Sequence, residues 1–182
     1  MFEFNITLDD NDYLLFNQYH IFNSRSGKKS LIFSRFIVPY ICLMVIIIFG
    51  IAGSDFELIL IEAILMTIIS IWWIVFYKKN IIKSINKRIM KMKKVGKLPY
   101  SKESIIKFDD EKIHEITPNT ESITKYTLIE KIAVTENAIY IYFSSVQAYI
   151  LPVSAFSEEM EKLKFLEFIN TKAEISKQSL NK

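Results

Sequence analysis

The chain has 182 residues, of which 51% are hydrophobic and 24% are charged, and its formal net charge is +3. In a soluble domain of this length the two classes alternate along the chain, but here almost no charge lies between residues 36 and 77. This segregation is typical of a membrane protein and argues against an ordinary soluble domain.

The sequence contains no recognisable catalytic, metal-binding or nucleotide-binding motif. Cys42 is the single cysteine, and neither His20 nor His114 has cysteine or histidine neighbours at metal-ligand spacing. The chain has only four glycines, and no glycine-rich phosphate-binding loop is present. We therefore expect no enzymatic activity, no catalytic residues, no metal site and no cofactor.

The N-terminal segment, residues 1–34, predicts a strand followed by an amphipathic helix. Residues 2–8 alternate between apolar and polar side chains, which is the period of a strand. Asp9 is a typical helix N-cap, and Tyr13, Phe16 and Tyr19 follow it at helical spacing. We interpret this aromatic stripe as a packing surface.

Two apolar runs, the first of them free of charged residues, predict a transmembrane hairpin over residues 35–77. Residues 36–53 and 56–77 hold about 18 and 22 residues, and about 20 are needed to cross the hydrocarbon core of a bilayer. The connection, Gly53-Ser54-Asp55, has turn chemistry, and Asp55 is placed to cap the second helix. A connection this short requires the two helices to be antiparallel and adjacent.

The distribution of basic residues predicts that both termini are cytoplasmic. The connecting turn has none, whereas basic residues flank the hairpin on both sides, at Arg25, Lys28, Lys29 and Arg35 before it and at Lys78, Lys79, Lys83, Lys87, Arg88, Lys91, Lys93, Lys94 and Lys97 after it. Trp72 and Trp73 lie where the cytoplasmic aromatic belt of the second helix is expected.

Glu62 is the one carboxylate well inside the second apolar run. Such a residue is a candidate functional site, facing a central path in a small oligomeric channel or transporter. Alternatively, its side chain extends outward beside Glu57. We favour the outward position because neither apolar run offers a basic partner.

The second apolar run continues into a basic juxtamembrane helix, residues 78–97. Isoleucines recur there at helical spacing among lysines, and Gly96 and Pro99 are typical helix stops. The helix is expected to lie against anionic lipid or to cover the base of the barrel, and we favour a mixture in which the isoleucines pack and the lysines face lipid phosphates. Four lysines are the predicted contacts with anionic lipid: Lys83, Lys87, Lys91 and Lys94. The adjacent bilayer makes nucleic acid a poor alternative partner for them.

Residues 98–173 predict an α+β domain of short antiparallel strands closed by a C-terminal helix. The strands are expected at residues 104–108, 112–117, 122–126, 128–135, 138–143 and 147–151, with turns between them. A helix follows over residues 157–171, capped by Ser157, and residues 174–182 form a polar tail. A meander closed by one helix resembles the pleckstrin-homology-like (PH-like) β-barrel, in which the helix plugs an open end.

The order of elements resembles the YcxB-like family of bacterial membrane proteins. The resemblance lies in Phe4-Asn5-Ile6-Thr7 with Asp9, and in residues 149–156, Tyr-Ile-Leu-Pro-Val-Ser-Ala-Phe. It implies a two-span hairpin in the bacterial plasma membrane, a cytoplasmic PH-like domain and no catalytic residues. We expect a binding or regulatory module whose partners are the bilayer and a protein or a second copy of the chain. The alternatives are a channel or transporter subunit and a membrane-tethered enzyme.

Overall fold

The computed structural model describes residues 1–53, 55–96, 98 and 100–180, with side chains through residue 176. The chain forms two compact units. One unit is helical and consists of residues 17–91, and the other combines residues 1–16 with residues 92–182. The first 16 residues are therefore part of the same unit as the C-terminal segment, whereas residues 17–34 of the predicted N-terminal segment belong to the helical unit.

The first helix, α1 (Asp10–Asn23), begins with a reciprocal pair of capping hydrogen bonds. The Asp12 backbone N–H donates to Asp9 Oδ1 at 2.8 Å, and the Asp9 N–H donates to Asp12 Oδ2 at 3.0 Å. Two N–H groups that the helix itself leaves unpaired are thereby satisfied. The predicted N-cap at Asp9 is confirmed.

The two apolar runs are helices α2 (Arg25–Ile51) and α3 (Phe56–Lys94). α2 begins earlier than the apolar run because Ser24 provides a cap, its Oγ accepting the Gly27 N–H at 2.9 Å. Gly27 is buried, and a Cβ there would overlap the backbone of Ile21. Glycine thus permits the close approach of the chain at the α1–α2 junction.

Both helices are long and apolar enough to cross a membrane, which suggests membrane association. Only 11% of the most apolar 18-residue window of α2 and 0% of that of α3 are buried. The helices are adjacent, as expected, since Trp73 Nε1 donates to the Ser34 carbonyl oxygen at 2.9 Å. The Arg35 guanidinium also lies 5.9 Å from the centre of the Tyr77 ring.

α3 extends without interruption from the apolar run into the basic segment, as predicted. It ends at Lys94, and Gly96 adopts a φ of +71°, the left-handed conformation that favours glycine. The remaining predicted features of this junction, Lys97 and Pro99, lie outside the described residues, as does Ser54 of the interhelical turn.

Seven strands form two antiparallel sheets. The first sheet contains β1 (Phe2–Thr7), β2 (Glu103–Phe108), β3 (Lys112–Ile116) and β4 (Glu121–Lys125), in that order. The second sheet contains β5 (Lys131–Val134), β6 (Ala138–Tyr142) and β7 (Ala148–Pro152), also in chain order. The predicted antiparallel meander is confirmed, and the N-terminal strand joins it through β2.

The predicted closed barrel is wrong, because the two sheets do not join into one. A 3-10 turn, Tyr126–Leu128, replaces the start of the strand expected at residues 128–135. The buried Tyr126 side chain anchors this turn, and its hydroxyl donates to the Asp109 carbonyl oxygen at 2.7 Å. The turn separates β4 from β5, so these two strands are not paired, and β5 begins the second sheet by pairing with β6.

The C-terminal helix, α4 (Glu159–Leu180), provides the centre of the hydrophobic core. The Phe165 ring is fully buried, and its centre lies 4.8 Å from that of Phe108 and 5.0 Å from that of Phe4. The helix continues beyond the predicted end at residue 171, since the following residues include no glycine or proline. Ser157 precedes the helix, and its Oγ donates to Glu161 Oε2 at 2.5 Å.

Replacement of Phe165 by alanine should lower the free energy of unfolding of the sheet unit by about 3–5 kcal/mol, because it removes a fully enclosed ring. The matched control is Leu163→Ala on the exposed side of α4, which should cost under about 1 kcal/mol. Pulse proteolysis of the detergent-solubilised full chain across a urea series measures both. Equal effects of the two substitutions would contradict this description of the core.

Candidate functional site

The inward face of the first sheet changes from apolar to polar along its strands. Phe108 pairs with Ile113 at the apolar end, where Phe165 of α4 contacts Phe108. Two residues further along each strand, Ile106 pairs with Glu115, and Glu115 in turn pairs with Ser122 of β4. Because residues two apart in a strand share a face, Glu115 lies on the same face as Ile113. A carboxylate thus occupies a position where the strand pattern favours an apolar residue.

A cleft of about 630 Å³ opens at this polar end. Its walls come from β2, β3, β7, the turns 117–120 and 143–147, the start of α1 and the segment that follows α3. Its polar lining residues are Ser101, Ser104, Glu115, Thr117, Asn119, Thr120 and Gln147. Its aromatic lining residues are Tyr13, Phe16, Tyr100, Phe143 and Tyr149.

Glu115 is the one charged side chain among the described residues that line the cleft. It is half-buried, and burial raises the pKa of its carboxyl group above the ordinary value. Its hydrogen bond from Ser122 Oγ to Oε2 is 3.4 Å long and therefore weak. Within the described chain, no basic side chain forms an ion pair with Glu115.

A buried hydroxyl pair lies at the base of the cleft. Tyr149 Oη and Thr124 Oγ1 are 2.7 Å apart, and both residues are buried. Burial raises the pKa of Tyr149, so its hydroxyl stays protonated at neutral pH. The Phe143 ring packs on Tyr149, with 4.8 Å between the ring centres. These contacts hold the Tyr149 ring in a fixed position beside Glu115.

The mouth of the cleft is held together by a short network. The Tyr13 and Tyr100 rings are stacked with centres 4.8 Å apart, and Tyr100 Oη donates to Asp10 Oδ1 at 2.8 Å. Lys93 Nζ donates to the other oxygen of Asp10, and the two hydrogen bonds lower the pKa of that carboxyl group. The network fastens the end of α3 to the start of α1 within one unit.

None of the four predicted lipid-contact lysines is among the described residues that line the cleft. Lys83, Lys87, Lys91 and Lys94 are all exposed on α3. The neighbouring Ile89 is buried, in agreement with an apolar stripe between the lysines. The contact of these four lysines with anionic lipid stays a prediction.

Glu62 is partly buried on α3. It lines an apolar groove of about 370 Å³ together with Phe49, Leu58, Leu65 and Met66. In the described part of the chain no basic residue pairs with it.

Elsewhere, His114 Nε2 lies 2.5 Å from Glu121 Oε1, on the outer face of the first sheet.

The sequence does not identify Ser104 and Glu115 of the cleft as site residues, or Ser122, whose hydroxyl donates to Glu115. Their signal is the two-residue alternation, which places Ser104 on the face of Ile106 and Glu115 on the face of Ile113. The opposite faces also carry isoleucines, at Ile105 and Ile116, so alternation alone does not reveal which face is buried. The structure resolves this ambiguity, because Ile106 and Ile113 are almost fully buried whereas Ile105 and Ile116 are only partly buried.

The fold is that of an antiparallel sheet unit whose first and second strands are separated in sequence by two long apolar helices. A family model described as YcxB-like protein matches residues 108–169. The chain therefore carries a YcxB-like segment, which confirms the family predicted from the sequence. This segment contains Glu115 and Tyr149 of the cleft and also Ser122, the hydrogen-bond partner of Glu115. No curated protein and no solved structure matches the chain.

Replacement of Glu115 by glutamine should stabilise the sheet unit at neutral pH. A carboxyl group whose folded-state pKa is raised binds its proton more tightly in the folded protein, so stability falls as pH rises through that pKa. Glutamine removes this loss, and solvent screening limits the gain to under about 1 kcal/mol. Below the ordinary pKa of glutamate the gain should vanish, because both states are then protonated.

Pulse proteolysis in urea at several pH values measures the difference between the Glu115→Gln variant and the wild type. Glu111→Gln, in the exposed turn after β2, removes the same charge without burial and serves as the control. A destabilising Glu115→Gln change at neutral pH would show that the carboxylate is satisfied by partners in the fold.

Proposed function

We propose that the protein is a non-enzymatic binding or regulatory module of the bacterial plasma membrane. In this proposal α2 and α3 cross the bilayer as a hairpin, and both termini lie in the cytoplasm. The sheet unit acts as a PH-like interaction domain next to the bilayer. Its partners are the bilayer itself and a ligand, a protein or a second copy of the chain held at the membrane surface.

The observation that carries the proposal is the exposure of the two apolar helices. In α3 none of the most apolar 18-residue window is buried, and large aliphatic side chains are exposed around the helix. Contiguous apolar surface of this extent is rare on soluble monomers. The 27 residues of α2 span about 40 Å at 1.5 Å per residue, enough for a bilayer's hydrocarbon core of about 30 Å.

The pairing of β1 with β2 supports a topology in which both flanks of the hairpin share one side. β1 precedes both apolar helices and β2 follows them, yet the two strands are paired in one sheet. A chain that crosses the bilayer twice returns to its starting side and permits this pairing. The basic residues on both flanks then favour the cytoplasm as that side.

The cleft supports binding in preference to catalysis. Its described lining has one carboxylate and contains no histidine, cysteine or lysine that would complete an acid–base or nucleophilic pair with it. The antiparallel strands followed by α4, with Phe165 between the sheets, support the PH-like interpretation. A small site with aromatic walls is suited to holding a ligand.

The topology is tested with reporter fusions. An enzyme that is active only in the cytoplasm should be active when fused after Lys182, and an enzyme that is active only outside should be active when inserted at Ser54. The reciprocal fusions are the controls and should be inactive. Activity of the outside reporter at the C-terminus would overturn the proposed placement of the whole sheet unit.

Exposed lysines on α3 support a contact with anionic lipid headgroups. Lys83, Lys87, Lys91 and Lys94 follow one another at helical spacing and are exposed, and each lysine near an anionic surface contributes about 1 kcal/mol. Lys93 is engaged differently, through its hydrogen bond to Asp10. The four exposed lysines thus form the proposed lipid-facing set.

In nanodiscs of anionic lipid, these four lysines should react more slowly with a water-soluble acylating reagent than in zwitterionic nanodiscs. The protection should fade as salt is raised, because ions screen exposed charges over a Debye length of about 8 Å at physiological ionic strength. Mass spectrometry of the full chain measures each site, with the exposed Lys125 of β4 as the control. Equal reactivity in both lipids would show that the lysines do not contact headgroups.

A further inference from the structure

We propose that the cleft binds an organic ammonium ion, with the positive charge placed on the Glu115 carboxylate and the carbon skeleton between aromatic rings. This inference rests on the proposed function as a binding module and names the class of ligand. It concerns the polar end of the first sheet and is independent of the lysines of α3.

The charge of the lining sets the sign of the ligand. Glu115 is the one charged group among the described lining residues, and no lysine or arginine accompanies it there. A phosphate or carboxylate ligand would meet a like charge and find no basic partner. A cation would meet a half-buried carboxylate that receives a single weak hydrogen bond in the described structure.

The hydrogen-bonding capacity of Glu115 indicates an ammonium ion with N–H groups. An ionised carboxylate accepts about four hydrogen bonds, and a primary ammonium donates three. The Tyr149 and Thr124 hydroxyls form a hydrogen bond with each other, and neither carries a positive charge that could balance the carboxylate. Binding of a charged donor would restore the favourable interactions that burial removes from Glu115.

The aromatic walls suit the rest of such a ligand. The described lining includes five rings, of which Tyr13 and Tyr100 form a stacked pair at the mouth and Phe143 packs on Tyr149 at the base. Aromatic faces attract cations within about 6 Å of the ring centre and also bury an alkyl chain. The volume of about 630 Å³ is that of a site for a small molecule or one long side chain.

Binding is tested on the full chain in zwitterionic nanodiscs with three five-carbon probes that differ in charge. The probes are 1,5-diaminopentane, 1,5-pentanediol and glutarate, and Nα-acetyl-lysine-methylamide presents the same ammonium group on a peptide unit. Nuclear magnetic resonance shifts of the Glu115 side-chain carboxyl and the Tyr149 amide report occupancy at the cleft. The variants are Glu115→Gln and the control Glu111→Gln.

The diamine, the lysine amide or both should shift these signals in the wild type and in Glu111→Gln. Glu115→Gln should weaken the binding by about tenfold or more, since it removes the charge and preserves the shape. Binding of the diamine alone identifies a free amine as the ligand, and binding of the lysine amide alone identifies a protein side chain.

Three results would overturn the inference: no shift with either amine, equal amine binding by the wild type and Glu115→Gln, or binding of the diol or glutarate as strong as that of the amines. Each leaves the proposed membrane module intact, since that proposal depends on the reporter fusions. Failure of the fusions would in turn leave an observed amine site intact.

Discussion

The pairing of β1 with β2 is the constraint on which the rest of the structure depends. Six residue pairs join these strands in register, from Phe2 with Phe108 to Thr7 with Glu103. The two strands are separated in sequence by both long apolar helices, so the pairing closes a very long loop, whose entropic cost must be met by contacts in the sheet unit. β1 contributes Phe4 and Ile6 to the core, and both side chains are almost fully buried. The N-terminal strand is thus an integral part of the sheet unit.

This constraint also explains why the space between the two sheets has two different ends. β1 brings Phe2 and Phe4 next to Phe165 of α4, and the aromatic rings fill the apolar end. At the other end the segment around Tyr100 and the start of α1, fastened through Asp10, form the mouth of the cleft. One end of the sheet pair therefore provides stability, and the other end leaves a half-buried carboxylate accessible to a ligand. Because the two ends are separate, burial of a carboxylate at one end can lower the stability of the unit without unfolding it.

The local features of the fold are predictable from the sequence because each depends on residues that are near neighbours in the chain. The apolar runs, the Asp9 cap, the helix stop at Gly96 and the strand alternation are all local patterns, and the structure confirms them. The closed barrel was wrong because a 3-10 turn at residues 126–128 interrupts the strand ladder, and this turn depends on the distant contact of Tyr126 with Asp109. The cleft was missed for a related reason. The burial of Ile113 and of Ile106 shows that Glu115 lies on the inward face, and that burial depends on packing against segments distant in the chain.

The most direct test of the account is an engineered disulfide across β1 and β2 in the full chain. Asn5 and Ile105 are register partners, and the hydrogen bond from the Leu8 N–H to the Lys102 carbonyl oxygen places them at a non-hydrogen-bonded pair, where Cα atoms are close enough for a disulfide. In a Cys42→Ala background, cysteines at positions 5 and 105 should crosslink rapidly under mild oxidation in native membranes, and cysteines at positions 5 and 121 should not. Failure of the 5–105 pair to crosslink, or equal crosslinking of both pairs, would show that the N-terminal strand does not complete the sheet.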